Sequence, residues 1–237
     1  MPGAGKLKNI TDKEAAALAH TIKNLEFDIT RKNLVLPTVS SQMLENHTGY
    51  IQVTEFTEHT AEQFEEALDS LQGDGMTALI VDLRSNPGGM LTSVCDMLDD
   101  ILPKGLLVYT EDRSGKRVDY TSTDEKTLDL PLAVLVNGYS ASASEIFAGA
   151  IQDRKAGTII GTTTYGKGVV QSILTLKDGS AFKITTNRYF TPSGTCIQGI
   201  GITPDEELEY EFTGPEGAGY SVEYDNQIQK ALEVLQQ

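Results

Sequence analysis

Residues 139–150 read YSASASEIFAGA, three hydroxyls alternating with alanines ahead of a Glu and an apolar run. Ser142 stands three residues before Glu145, and S-x-x-E is a capping box, so one reading of Ser142 is a helix cap. The other is a nucleophile. Free N–H groups and the helix dipole stabilise negative charge at a helix N-terminus. An oxyanion needs a backbone N–H beside the attacking atom, which Ala143 supplies, and the small Ala141 and Ala143 leave room for a substrate backbone. The segment Gly138-Tyr139-Ser140-Ala141-Ser142 lacks the second glycine of G-x-S-x-G, so the hydrolase nucleophile elbow does not fit.

A serine nucleophile needs a base. His20, His47 and His59 all have polar or charged neighbours, and nothing in the sequence favours a Ser-His-Asp triad. Lys167 differs: between Ala156 and Leu176 it is the one charged residue, set between Gly166 and Gly168. A lysine entering apolar surroundings loses hydration, which favours the neutral amine, and a neutral amine can take a serine proton. The competing reading is a lysine exposed on a glycine turn. Gly161-TTTY-Gly166-Lys167-Gly168 also approaches a P-loop, but Gly168 replaces the Ser or Thr that binds magnesium, and VVQSILTL is a poor helix start. Asn86-Pro87-Gly88-Gly89 is a turn on its own terms. Beside a nucleophile, its glycines would offer the second oxyanion N–H.

These residues must be held by a scaffold. TALIVDL (77–83), PLAVLVN (131–137) and AGTIIG (156–161) are near-continuous apolar runs, as strands buried on both faces are. Helices are expected over 12–23, from Thr60 with a Thr60/Gln63 capping box and an apolar face of Phe64, Ala67, Leu68 and Leu71, over about 91–101, after the serine segment, and over 226–237. FDITRKNLVLPTV alternates like strands up to Pro37, GYIQVTEF (49–56) suggests a half-buried strand, and residues 106–120 form two strands around DRSGK. The segments flanking the Asp178-Gly179 turn are β-structure. Strands alternating with helices give βαβ units and a mostly parallel sheet, whose sites gather at the carboxyl ends of strands. RSNPGG and NGYSASAS both occupy that position.

The chain has 237 residues and a formal net charge of -15, which argues against nucleic acid and anionic membranes as partners. Cys95 and Cys196 form no CxxC pair and only three histidines exist, so no structural metal site is expected. Free thiols are the favoured state, with a single disulfide left open. No run is long enough to span a bilayer, and MPGAGK is no signal peptide but resembles an appended joint.

DLRSNPGG, NGYSASASEIFAGAIQD, GTTTYGKGVVQ and RYFTPSGTCIQGIGITPD, in that order and spacing, resemble the C-terminal processing peptidases, also called tail-specific proteases. The resemblance runs from about Phe27 to the C-terminus. It implies an α/β fold with a crotonase- or ClpP-like core and additional β-strands, and a serine peptidase with a Ser-Lys dyad and no cofactor or metal. By the same resemblance Ser142 is the nucleophile and Lys167 the base, Gln171 positions the lysine, and Ser140 and Ser144 are structural. Asp153 matches an Asp with a supportive role, and Ala143 with Gly88 or Gly89 forms the oxyanion hole. Protein or peptide substrates, a location outside the cytoplasm and a regulatory PDZ domain in the full-length protein are also implied. Residues 1–26 hold a linker and a possible PDZ remnant, and 27–237 the peptidase core. Homo-oligomerisation is left open. The alternatives are an inactive peptide-binding protein of the same fold and an acyl-CoA-handling crotonase-like enzyme.

Overall fold

A computed structural model describes residues 35–123 and 127–236. The helix expected over 12–23, the segment 27–34 and the domain boundary at 26/27 lie outside the described residues.

The apolar runs become the centre of a six-stranded sheet. Its strands are β1 (Val39–Met43), β2 (Thr48–Val53), β3 (Ala78–Asp82), β6 (Leu132–Val136), β7 (Thr158–Gly161) and β10 (Glu206–Glu207), adjacent in that order. β1 pairs antiparallel with β2, and every other pairing in this sheet is parallel. All residues of β3 and β6 are buried. The reason is the period of two along a strand. Leu79, Val81, Leu132, Val134, Val136 and Ile159 enter the core formed with helices α1 (Thr60–Gly73), α2 (Leu91–Asp99) and α3 (Ala143–Asp153). The alternate residues Ile80, Ala133, Leu135 and Ile160 meet Ile228 and Ala231 of α4 (Asn226–Val234). With helices on both faces, neither set of side chains reaches water, hence the continuous apolar sequence.

A second, antiparallel sheet runs β5 (Arg117–Ser122), β4 (Gly105–Asp112), β9 (Ala181–Phe190), β8 (Val169–Thr175). The fold is therefore α/β with additional strands, as expected. Two strands were not anticipated: β1, which follows the proline expected to end the preceding alternation, and β10, a two-residue pairing with no sequence period of its own.

The Thr60/Gln63 capping box does not form. His59 is the N-cap, without a side-chain cap bond. Gln63 Oε1 instead accepts from the backbone N–H groups of Thr38 and Val39, and Thr60 Oγ1 accepts from Thr57 N–H and donates to Glu55 O. Gln63 is spent on the start of β1, and Thr60 on the turn before the helix and the Thr38 hydroxyl, uses that the capping-box spacing does not encode. Helix α2 ends at Asp99, with Asp100 as C-cap, two residues earlier than expected.

The carboxyl end of β3 is tied to the C-terminal helix by charge. The Arg84 guanidinium donates to both oxygens of Asp82, to Asp225 Oδ1 and to Gln227 Oε1. Asp225 in turn caps α4, accepting from Gln227 and Ile228 N–H. Burial opposes the guanidinium charge, and the hydrogen bonds and charges of Asp82 and Asp225 outweigh it, raising Arg84 above its ordinary value. Burial and the Asp82 charge likewise raise the Tyr50 phenol, which stays protonated and donates to Asp82 Oδ2 at 2.7 Å.

Candidate active site

The two loops at the carboxyl ends of β3 and β6 meet. A Cβ added to Gly88 would lie 2.7 Å from Ser142 Cβ and 2.6 Å from Ala141 O, so only glycine permits this approach; its φ of +99° asks for glycine as well. The three serines divide by role. Ser140 Oγ donates to Leu83 O at 2.7 Å and accepts from Asn137 N–H. Ser144 Oγ donates to Asn86 O at 3.0 Å. Both hydroxyls are spent on fixing the β3 loop to the β6 loop. The Ser142 side chain faces the Glu145 backbone in a capping box but its hydroxyl donates to no group among the described residues, and its backbone sits at φ 55°, ψ −112°, a conformation that strains any residue with a Cβ. The elbow geometry that G-x-S-x-G usually signals is thus reached without that motif. Small residues on both sides and Gly88 against the turn make room for it.

Glu145 is fully buried and forms the carboxylate half of the expected box, accepting Ser142 N–H at 2.8 Å. It also accepts from Lys167 N–H, from Gly166 N–H and from the Thr164 hydroxyl. The spacing S-x-x-E discloses only the first of these bonds; the other three cross to the TTTYGKG loop, and no local signal announces them. Tyr165 N–H donates to Ser140 O at 3.0 Å and closes the same junction.

Lys167 is half-buried at the head of β8, and its Nζ and the Ser142 hydroxyl are not hydrogen-bonded to each other. A strand follows it, so the helix that a P-loop requires is absent at this position. Gln171 lies on β8 beside a register shift, with an exposed side chain that makes no hydrogen bond to Lys167. Asp153 ends α3, about 16 Å along the helix from Ser142 at ~1.5 Å per residue; its Oδ2 accepts Ser193 N–H at 2.8 Å and fastens the turn after β9. Of the expected oxyanion donors, Ala143 N–H and Gly89 N–H carry no hydrogen bond among the described residues, whereas Gly88 N–H is taken by Asn86 Oδ1 at 2.9 Å. His47 and His59 make no hydrogen bond to Ser142. Cys95 and Cys196 are both free thiols, and burial raises the Cys95 thiol to about 12. Among the described residues no cluster of His, Cys, Asp and Glu is suited to a metal ion, and no helix is long and apolar enough to cross a membrane.

The chain is 38% identical over 210 residues to a carboxyl-terminal-processing protease of Synechocystis, covering 84% of this chain and 49% of that protein. It is 43% identical over 195 residues to a carboxy-terminal-processing protease of Bartonella bacilliformis, covering 79% and 44%. The chain therefore spans about half the length of these relatives. The solved structure of a photosystem II D1 C-terminal processing protease superposes with a TM-score of 0.70 at 31% identity, over 88% of this chain and 55% of that one. The model of peptidase family S41 matches residues 47–208, which takes in the PGG turn, the serine segment and the lysine loop; the chain belongs to peptidase family S41.

Proposed function

We propose that this chain is the catalytic core of a serine endopeptidase in which Ser142 is the nucleophile and Lys167 the general base. One observation carries the reading: of three neighbouring serines, two donate their hydroxyl protons to the frame, and the third, on a strained turn, donates to no group among the described residues and stands beside two N–H groups that are unpaired there. Family membership supports it, and the names of the relatives extend it to cleavage near the C-termini of protein substrates.

The Lys167 amine, in its neutral form, takes the Ser142 proton as Oγ attacks the scissile carbonyl. The carbonyl π electrons move onto oxygen, which accepts from Ala143 N–H and Gly89 N–H. As the tetrahedral intermediate collapses, the C–N bond breaks and the lysine passes its proton to the leaving amine. Water, deprotonated by the same lysine, then attacks the ester; as its C–O bond breaks, the lysine returns that proton to Ser142 Oγ, and the new carboxyl terminus leaves. The lysine reaches the hydroxyl by rotation of its four-carbon stem, since its backbone is already fixed through Glu145. Gln171 is proposed to hold the amine in that rotamer. Asp153 supports the site at a distance, through the turn at Ser193. A PDZ domain in the full-length protein and a location outside the cytoplasm belong to the same proposal.

The test is peptide hydrolysis and fluorophosphonate labelling by the unaltered chain, Ser142→Ala and Lys167→Ala. The reading expects both variants to lose turnover, and labelling to disappear with Ser142→Ala. Full hydrolysis by either variant overturns the corresponding role, and turnover of CoA thioesters in place of peptides overturns the substrate class.

A further inference from the structure

Asn86 is fully buried and every polar group on it is used. Its backbone N–H donates to Leu83 O, and its carbonyl accepts from Ala141 N–H and from Ser144 Oγ. Its amide works as a fork: Nδ2 donates to Val53 O at 2.8 Å and Oδ1 accepts Gly88 N–H at 2.9 Å. One side chain thus joins the end of β2 to the PGG turn, while the main chain of the same residue joins that turn to the serine segment.

The consequence falls on the peptide between Gly88 and Gly89. Gly88 O accepts from Phe56 N–H at 3.0 Å, and Met90 N–H donates to Phe56 O at 2.8 Å. In a trans peptide the N–H points opposite to the preceding C=O. With Gly88 O directed at Phe56, Gly89 N–H is left facing away from Phe56, unpaired, in the turn that Gly88 presses against Ser142 and Ala143. Gly88 is therefore held on both sides: Phe56 binds the carbonyl of the Gly88–Gly89 peptide, and Asn86 binds the N–H of the Pro87–Gly88 peptide before it. If the Asn86 bond is lost, the buried Gly88 N–H has no partner, and the two glycines, at φ +99° and +149°, are free to rotate toward one.

We infer that Asn86 is a positioning residue for the oxyanion site: by binding Gly88 N–H it fixes the Pro87–Gly88 peptide and so limits the rotation about Gly88 that would turn the next peptide, which presents Gly89 N–H beside Ala143 N–H. The inference rests on Ser142 being the nucleophile. It explains why an amide stands here. Aspartate has no donor for Val53 O, and a hydroxyl is too short to serve Val53 and Gly88 together.

The experiment compares Asn86→Ala with the unaltered full chain, with Ser142→Ala as reference. Three quantities are read: kcat and KM on a peptide, affinity for a peptide aldehyde whose hemiacetal oxygen occupies the oxyanion site, and affinity for the corresponding product peptide. Loss of one oxyanion donor lowers kcat by roughly 10²–10³-fold. The expected result is a loss of that size in kcat and in aldehyde affinity, with KM and product affinity little changed. A purely structural role would lower the folded fraction and weaken both ligands together, and that outcome, or an unchanged kcat, overturns the inference. Should Asn86→Ala fail to fold, Asn86→Asp retains the acceptor for Gly88 N–H and lacks only the donor to Val53. It should keep aldehyde binding selective over product, and loss of that selectivity overturns the inference. Turnover by Ser142→Ala overturns the nucleophile assignment instead, so the two failures are distinguishable.

Discussion

Ser142 and Lys167 share one acceptor: Oε2 of Glu145 takes the backbone N–H of both, each at 2.8 Å. The proposed nucleophile and its proposed base are thereby held at fixed backbone positions by a single buried carboxylate, whose other oxygen holds Thr164 and Gly166. Hydrogen bonds to a charged group contribute about 1.5–3 kcal/mol each, and the burial cost of the carboxylate, which the variant no longer bears, offsets part of the four bonds lost, so Glu145→Ala should destabilise the fold by on the order of 4 kcal/mol. It should also slow fluorophosphonate labelling of Ser142 at temperatures where the variant is still folded. Glu145→Gln should be milder. Its carbonyl can keep Ser142 and Lys167 while its NH2 faces Thr164, whose hydroxyl can turn to accept, leaving Gly166 N–H and the turned Thr164 O–H without their former acceptor. Thermal unfolding and labelling rates of the two variants check the order; equal loss in both would separate the site from this carboxylate.

The strain at Ser142 predicts a divergence between two variants of the proposed nucleophile. Ser142→Ala keeps a Cβ at φ 55° and retains the strain, whereas Ser142→Gly releases it. After the extra freedom glycine gives the unfolded chain, a net gain of about 1 kcal/mol remains for glycine over alanine. Ser142→Gly should therefore melt higher than Ser142→Ala, by roughly 2–4 °C for a chain of this size. Equal melting temperatures would show that the turn bears no strain.

The sequence discloses the scaffold better than the site. TALIVDL and PLAVLVN are continuous apolar runs because β3 and β6 are covered on both faces, and the loops after them follow from the rule that sites collect at strand carboxyl ends. The structural roles of Ser140 and Ser144 come from the family resemblance, and only the folded chain shows the carbonyls they bind. Other features are invisible because they depend on residues distant in sequence. Glu145 reads as a cap, and only the folded chain brings Thr164, Gly166 and Lys167 to it. Gln63 reads as a cap and serves Thr38 and Val39 instead. Gly88 and Gly89 look equivalent until Asn86 takes one of their two N–H groups. The left-handed backbone of Ser142 has no signature at all without the glycine pair of the usual elbow.

A groove between α1 and α2 is lined by Glu58, Glu62, Glu65, Asp96, Asp99 and Asp100. Desolvation, with the Asp99 charge, raises the Asp96 carboxyl above its ordinary value. The folded chain then holds this proton more tightly than the unfolded chain. Stability falls as pH rises from the ordinary Asp range through the raised value, and the penalty is complete above it. Asp96→Asn should accordingly stabilise the fold at neutral pH. The side chain is exposed and screened, so the gain is a few tenths of a kcal/mol. It should vanish below about pH 3, where both states are protonated, and shrink in molar salt. Chemical denaturation at three pH values measures it; a gain that persists in acid would assign the effect to packing.

Arg84 connects the C-terminal helix to the loop that carries Asn86 and the two glycines. Asp82 and Asp225 are each 1% exposed at the side chain, so removing the guanidinium strands two carboxylates out of water. Arg84→Met should cost about 3–5 kcal/mol, the range for breaking a buried pair by removing one partner. Arg84→Lys keeps the charge but not the fork, and a single ammonium cannot span Asp82, Asp225 and Gln227 as the guanidinium does. It should loosen α4 before the central sheet, because Asp225 is also the cap of that helix. Hydrogen exchange read by peptide is the decisive measurement: residues 226–234 should gain exchange in Arg84→Lys while β3 and β6 stay protected. Uniform exchange across all three would make the network part of the global core, and unchanged exchange in α4 would mean the lysine replaces the fork.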